Sequence, residues 1–238
     1  MVEPNDPTVS GTVVPPAAGA VQLSRNETES LCLKAARGAG MSWGLAEEAG
    51  FAAGWLSARG IDGASAILAQ LDRVDGLDRS AMRPVLVDGA WRANGVAPIC
   101  PIWLGAALSD FTQIAESGQG DPGISCAPVS RPLLILPFLS GIAKAARRSV
   151  RAEWQGGAVV LSADGDVGGD VVKLASVAEA ELTISCAEDA TAVPFDKAPA
   201  PVIAKATISA LSAYAMRTTV PASDASRADA GAAESDND

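Results

Sequence analysis

Apolar positions along residues 23–74 recur at helical rather than strand spacing. Leu45, Ala49, Ala52 and Leu56 follow i, i+4, i+7, i+11, and Ile67, Leu71 and Val74 repeat the pattern further on. Ser24 stands three residues before Glu27, the spacing of a capping box, so a first helix is predicted to start there and run to about Arg37. Gly38 and Gly40 then stop it, and Ser42 caps a second helix. The two form a helical hairpin, and a third helix is predicted to begin near Asp62.

Beyond this helical portion the pattern changes. Asp75 to Asn94 reads as connection with a short strand at Val85 to Val87, and Val96 to Leu104, broken by Pro98 and Pro101, reads as an edge or extended segment. Leu104, Leu108, Phe111 and Ala115 then recur at helical spacing, and Gln119 to Pro128 reads as a glycine and proline loop. Leu133 to Leu136 is a continuous apolar run expected to be a strand buried on both faces, leading into a helix that ends at Arg147. Val150, Ala152 and Trp154 alternate with polar residues, and Gln155-Gly156-Gly157 turns them into Ala158 to Ser162 as a hairpin. Strands are also predicted at Val171 to Leu174 and Leu182 to Cys186, the stretch Pro194 to Pro201 ends the sheet, and a last helix carries Ile203, Thr207, Ala210 and Tyr214 on one face. The expected class is α+β: a helical hairpin and third helix packed with a mainly antiparallel sheet and a C-terminal helix. Residues 1–22 are expected to be a disordered extension, 23–220 a single domain, and 221–238 a polar acidic tail.

Composition narrows the function. The chain has 238 residues, 48% hydrophobic and 19% charged, with alanine carrying much of the apolar fraction, so close helix packing is expected. A net charge of -10 repels phosphate backbones, which argues against a nucleic-acid partner. No apolar run reaches the length of a spanning helix and residues 1–22 lack a secretory signal's pattern, so no membrane partner and a cytoplasmic location are expected. Cys32, Cys100, Cys126 and Cys186 are far apart, which makes reduced thiols the expectation. There is no histidine, which removes the usual base for serine and cysteine nucleophiles and the commonest zinc ligand. Asp164 to Asp170 reads as a turn: the twelfth-position glutamate of a calcium loop starting at Asp164 is instead Ala175, and no metal site is assigned. The sequence names no cofactor.

The densest chemistry lies between Arg37 and Glu48. Arg37 supplies a fixed positive charge, the helix start at Ser42 offers backbone N–H groups, Gly40 lets a ligand approach the backbone, and Trp43 can cover its apolar part. A carboxylate or phosphate suits such a site; the same residues equally make a capped helical hairpin with a packed tryptophan. Successive helical residues turn by about 100°, which puts Glu48 beside the apolar stripe and Glu47 away from it. Glu48 is therefore the candidate acid or base. Cys100, just before Pro101, is a candidate nucleophile that needs a helix N-terminus or a cation to form its thiolate. Asp110 further along, and Arg227 in a tail able to fold back over a pocket with Arg217 and Asp224, complete the candidate ligand contacts.

Three blocks resemble one family. They are Lys34 to Gly40 with Ser42 to Gly50; Cys100-Pro101-Ile102 with Gly105 to Asp110; and Arg217 followed by Val220 to Ser223, Ser226-Arg227 and Asp236-Asn237-Asp238. Together they resemble an uncharacterised bacterial family catalogued as domain of unknown function 3726, over roughly Leu23 to the C-terminus. The resemblance implies membership and no activity. Two functional expectations stand: binding of a small anionic metabolite at the Arg37 to Glu48 turn, with acid/base chemistry left open, or a noncatalytic subunit that assembles with an enzyme partner or with a second copy of itself. A cysteine-dependent hydrolase or transferase acting through Cys100 is a third class.

Overall fold

In the computed structural model, which describes residues 19–111, 123–187, 195 and 199–218, the capping box forms as its spacing predicts. A strand, β1 (Ala20–Gln22), precedes α1 (Arg25–Gly38). At the start of α1 the Glu27 N–H donates to Ser24 Oγ at 3.2 Å, and the Ser24 N–H donates to Glu27 Oε2 at 2.8 Å. Helix α2 (Trp43–Ser57) follows a turn through Gly40, whose φ of 90° lies in the left-handed region that favours glycine. Asp62 caps α3 (Gly63–Val74) by accepting from the Ser65 N–H at 2.9 Å. Ala35, Ala36, Ala46, Ala49, Ala52 and Ala53 are all buried, and these small side chains let the hairpin pack backbone close to backbone.

Next come a 3₁₀ turn at Arg79–Met82 and the hairpin β2 (Pro84–Val87) and β3 (Ala90–Ala93). Strand β3 falls in a stretch expected to be connection. Helix α4 spans Pro101–Ser109, so the extended segment expected over Val96 to Leu104 is corrected from Pro101 onward, while before it Ile99 pairs with Val129 in an isolated bridge. Pro101 opens the helix at a position where its missing N–H costs nothing. Strand β4 (Ile124–Ser130) replaces the end of the predicted loop. The run Leu133 to Leu136 is buried as expected but is no strand: it forms a 3₁₀ turn at Pro132–Ile135 and the start of α5 (Leu136–Ala146). Arg131, at φ 42° and ψ 60°, redirects the chain there before Pro132. The expected hairpin forms as β5 (Ser149–Trp154) and β6 (Gly157–Leu161), followed by β7 (Val167–Gly169). Val171 to Leu174 belongs to a short helix, α6 (Val171–Ser176), rather than a strand. Val171 and Leu174, both buried, are three residues apart and share a helix face, a spacing that a four-residue run cannot distinguish from strand. Strand β8 (Glu179–Ala187), β9 (Val202–Ala204) and α7 (Lys205–Met216) complete the described chain.

The larger sheet has strand order β2-β3-β4-β8-β5-β6-β7 and is antiparallel except where β3 meets β4 through Trp91 and Cys126. Strands β1 and β9 pair separately, with Val21 opposite the fully buried Ile203. This corrects the expected extension 1–22 at its last residues. Residues 221–238, and with them Asp224 and Arg227, lie outside the described residues, as does Ala115. The protein is α+β, and its helices and sheet share one buried cluster that includes Leu56, Ile67, Leu104, Leu134, Val150 and Ile184.

Candidate functional site

The turn between α1 and α2 forms one wall of a cavity of about 270 Å³. Gly40, Met41, Ser42 and Leu45 come from that turn, Val74 from the end of α3, Arg79 and Met82 from the 3₁₀ turn, and Cys100 and Trp103 from the start of α4. Most of these side chains are apolar. The charge is Arg79.

Local hydrogen bonds explain why Arg79 stands there. Asp78 accepts from the Ser80 N–H at 2.9 Å and from its hydroxyl at 2.7 Å, fixing the 3₁₀ turn, while the Cys100 N–H donates to Met82 O at 3.0 Å and ties that turn to α4. The Arg79 guanidinium donates to Ala39 O, and its Nε lies 3.8 Å from where a Cβ on Gly40 would sit. Burial lowers its pKa, opposed by the nearby Cys100 thiol, Asp75 and Tyr214. No carboxylate among the described residues forms an ion pair with it. Asp75 is instead engaged by Arg217, through bonds of 2.7 and 3.0 Å.

Cys100 is the N-cap of α4, where a thiolate can meet free amides. The residue is 6% exposed, and burial pushes the thiol pKa up despite the opposing Trp103 and Ile102 amides and Arg79. The helix start and the cation that the sequence reading required are both present. Burial outweighs them.

The remaining candidates separate into two groups. Arg37 and Trp43 face each other outside the cavity lining: the guanidinium lies 4.7 Å from the Trp43 ring centroid and donates to Met41 O. Trp43 is 64% exposed, so it is neither packed in the core nor folded over the helix start. Ser42 accepts from the Leu45 N–H at 3.4 Å and lines the cavity with Gly40. Glu48 is half-buried and Glu47 exposed, as helical geometry predicts. Burial raises the Glu48 pKa, followed by repulsion from Glu47 and Asp110. Asp110 is the C-cap of α4, so this carboxylate pair lies toward the opposite end of that helix from Cys100, about 15 Å along its axis. Glu48 and Asp110 are near one another but are not among the cavity's lining residues. Arg217 stacks 4.3 Å from the Tyr214 centroid and does not reach the cavity lining.

Sequence reasoning did not single out Arg79 or Trp103. The Asp78-Arg79-Ser80 spacing carries a usable signal, because a carboxylate two residues before a serine predicts a locally capped turn with the intervening side chain turned away. Among the described residues no cluster of three or more potential ligands could hold a metal ion. No helix among them is long and apolar enough to cross a membrane.

No curated protein matches the chain. Residues 23–94 match the model of the family described as "Protein of unknown function (DUF3726)", which is the family that the sequence resembles. That stretch holds the first of the three resembling blocks, the α1–α2 turn, α3 and Arg79, while Cys100 and Trp103 lie beyond it. Over residues 23–94, from the capping box to the end of the β2–β3 hairpin, the chain is similar to that family.

Proposed function

We propose that the protein binds a small anionic metabolite, a carboxylate or phosphate with an apolar body, in the cavity between the α1–α2 turn and the start of α4. The observation that carries this reading is Arg79: a half-buried guanidinium without an ion-pair partner among the described residues, on an otherwise largely apolar wall. A buried cation gains most from an anion in such surroundings, where water screens the pair least. The first-turn amides of α2 beside Ser42 add favourable partial charge. Arg37 contributes indirectly by holding the Met41 carbonyl, and its stacked Trp43 stiffens the turn. The proposal places the protein in the cytoplasm and assigns no reaction.

Calorimetry of the full chain against a panel of carboxylates and phosphates tests this. Arg79→Gln is expected to weaken binding by at least about tenfold, the scale of one lost charge-assisted hydrogen bond, and Arg37→Ala by less. Equal affinity in Arg79→Gln sinks the proposed site. The second reading, a noncatalytic partner subunit or homo-oligomer, draws on the exposed Leu77, Leu86, Val87 and Val96 around the edge strand β2. Light scattering that finds a stable assembly, lost in Leu86→Lys, together with no saturable ligand, favours that reading instead.

A further inference from the structure

Three unusual features meet at Arg131, away from the cavity just described. Its backbone is left-handed, at φ 42° and ψ 60°, a conformation that costs a non-glycine residue energy and persists only where the surroundings enforce it. They do so here, since the Arg131 N–H donates to Ala178 O at 2.9 Å and its carbonyl accepts from the Leu134 N–H at 3.0 Å. Its Nε is buried without a hydrogen-bond acceptor. Its side chain lines a separate cavity of about 280 Å³ with Asp62 and Ser65 from the start of α3, Ala66, Leu133 and Val177.

Those backbone hydrogen bonds hold the left-handed conformation but leave the choice of an arginine with an unpartnered, buried Nε unexplained. A buried guanidinium nitrogen without an acceptor is costly, and a glycine at this position would remove both that cost and the strain. Asp62 opens into the same cavity but forms no ion pair with Arg131 among the described residues. Its oxygens accept from the Ser65 N–H at 2.9 Å and the Ser65 hydroxyl at 2.6 Å, which fixes the carboxylate in place and leaves lone pairs for a further donor. The Ser65 oxygen also lies 3.3 Å from Thr207 Oγ1 of α7. One wall thus holds an immobilised anion and another an unpartnered cation.

We propose that this cavity binds a small zwitterion, its carboxylate taken by the Arg131 guanidinium and its ammonium by the Asp62 carboxylate. A ligand with both charges satisfies both walls, whereas a simple carboxylate leaves Asp62 as a like-charged neighbour. The site is independent of Arg79.

The test is calorimetry of the full chain with straight-chain ω-amino acids from glycine to aminohexanoate, each beside the carboxylate and the amine of matching length. At least one amino acid is expected to bind at least about tenfold more tightly than both partial mimics, since each mimic forfeits one charge-assisted contact. Asp62→Asn keeps an N-cap residue and so the fold, and is expected to erase the preference for the zwitterion over the carboxylate. Arg131→Gly is expected to melt at or above the parent temperature yet show no saturable binding, which separates loss of the site from loss of folding. Arg79→Gln leaves this binding unchanged. The proposal is overturned if no amino acid binds saturably, if the carboxylate alone binds as well, or if binding survives in Arg131→Gly.

Discussion

Substituting alanine for glycine in a helix ordinarily stabilises it by about 1 kcal/mol, because alanine has less backbone freedom to lose. Gly38 should reverse that sign. A Cβ there would lie 2.5 Å from the Tyr214 carbonyl carbon, closer still to its oxygen, and 3.2 Å from the Ala215 nitrogen. Carbon atoms pack at about 3.5–4.0 Å, so α7 must retreat by at least about 1 Å, and the obstructing atoms are backbone that cannot rotate aside. That retreat strains the 3.0 Å hydrogen bond from the Tyr214 hydroxyl to Asp72 and disturbs the packing of the fully buried Leu211. Overpacking costs about 1–3 kcal/mol, and a lost hydrogen bond to a charged group about 1.5–3 kcal/mol. Set against the propensity gain, Gly38→Ala should destabilise the protein by about 3 kcal/mol. Gly141, in α5 with nothing within 4 Å of its added Cβ, is the internal control and should gain about 1 kcal/mol as Gly141→Ala. Urea denaturation followed by circular dichroism reads both. A Gly38→Ala midpoint at or above the parent's would show that α1 and α7 do not approach as closely as the structure has them.

Tyr214 is the single tyrosine of the chain, so its ultraviolet titration reports one group. Burial, and then the hydrogen bond to Asp72, push its pKa from 10.0 up to about 12, so folding favours the neutral phenol. Stability is expected to be intact below about pH 10 and to fall as the pH rises toward about 12, and phenolate appearing at pH 10 in the folded protein contradicts this. For the cysteines, iodoacetamide is expected to label Cys100 in the folded protein at least about tenfold more slowly than the half-buried Cys186, with equal rates in urea. Peptide mapping distinguishes the two. First-phase labelling of Cys100 would instead make its thiolate accessible and revive a cysteine-dependent reaction.

The helical third of the fold was the most legible in sequence because its determinants are local. The Ser24–Glu27 box, the Ser42 cap and the spacing of Ile67, Leu71 and Val74 each act within a turn or two, and each appears where expected. Prediction went astray where tertiary context chose between alternatives of equal local merit. Leu133 to Leu136 is buried on all sides, and its sequence suits a buried strand as well as a buried helix; the left-handed turn at Arg131 decides. Strands β1 and β9 are too short to show a period at all and exist through each other, 182 residues apart at the Val21–Ile203 pair. Gly38 has the sequence context of a conformational stop, yet it is helical and owes its identity to the close approach of α7.

The candidate site shows the same division between local and long-range causes. Gly40 and Ser42 line the cavity because a helix stop and a helix start are local events, and Cys100 joins them because Pro101 opens a helix there. The cation, however, is supplied from outside the Arg37 to Glu48 block. Arg37 lies four residues before Met41 and six before Trp43, and those nearby partners take it. Arg79 has no such neighbour in sequence: Asp78 is committed to Ser80, and Asp75 to Arg217 from the far end of the domain. A charge serves an anionic ligand best when no carboxylate of its own chain neutralises it, and here that depends on α7 docking against α1 and α3. The substitution at Gly38 therefore probes the site as well as the fold, because displacing α7 loosens Arg217 from Asp75 and gives Arg79 a competing intramolecular partner.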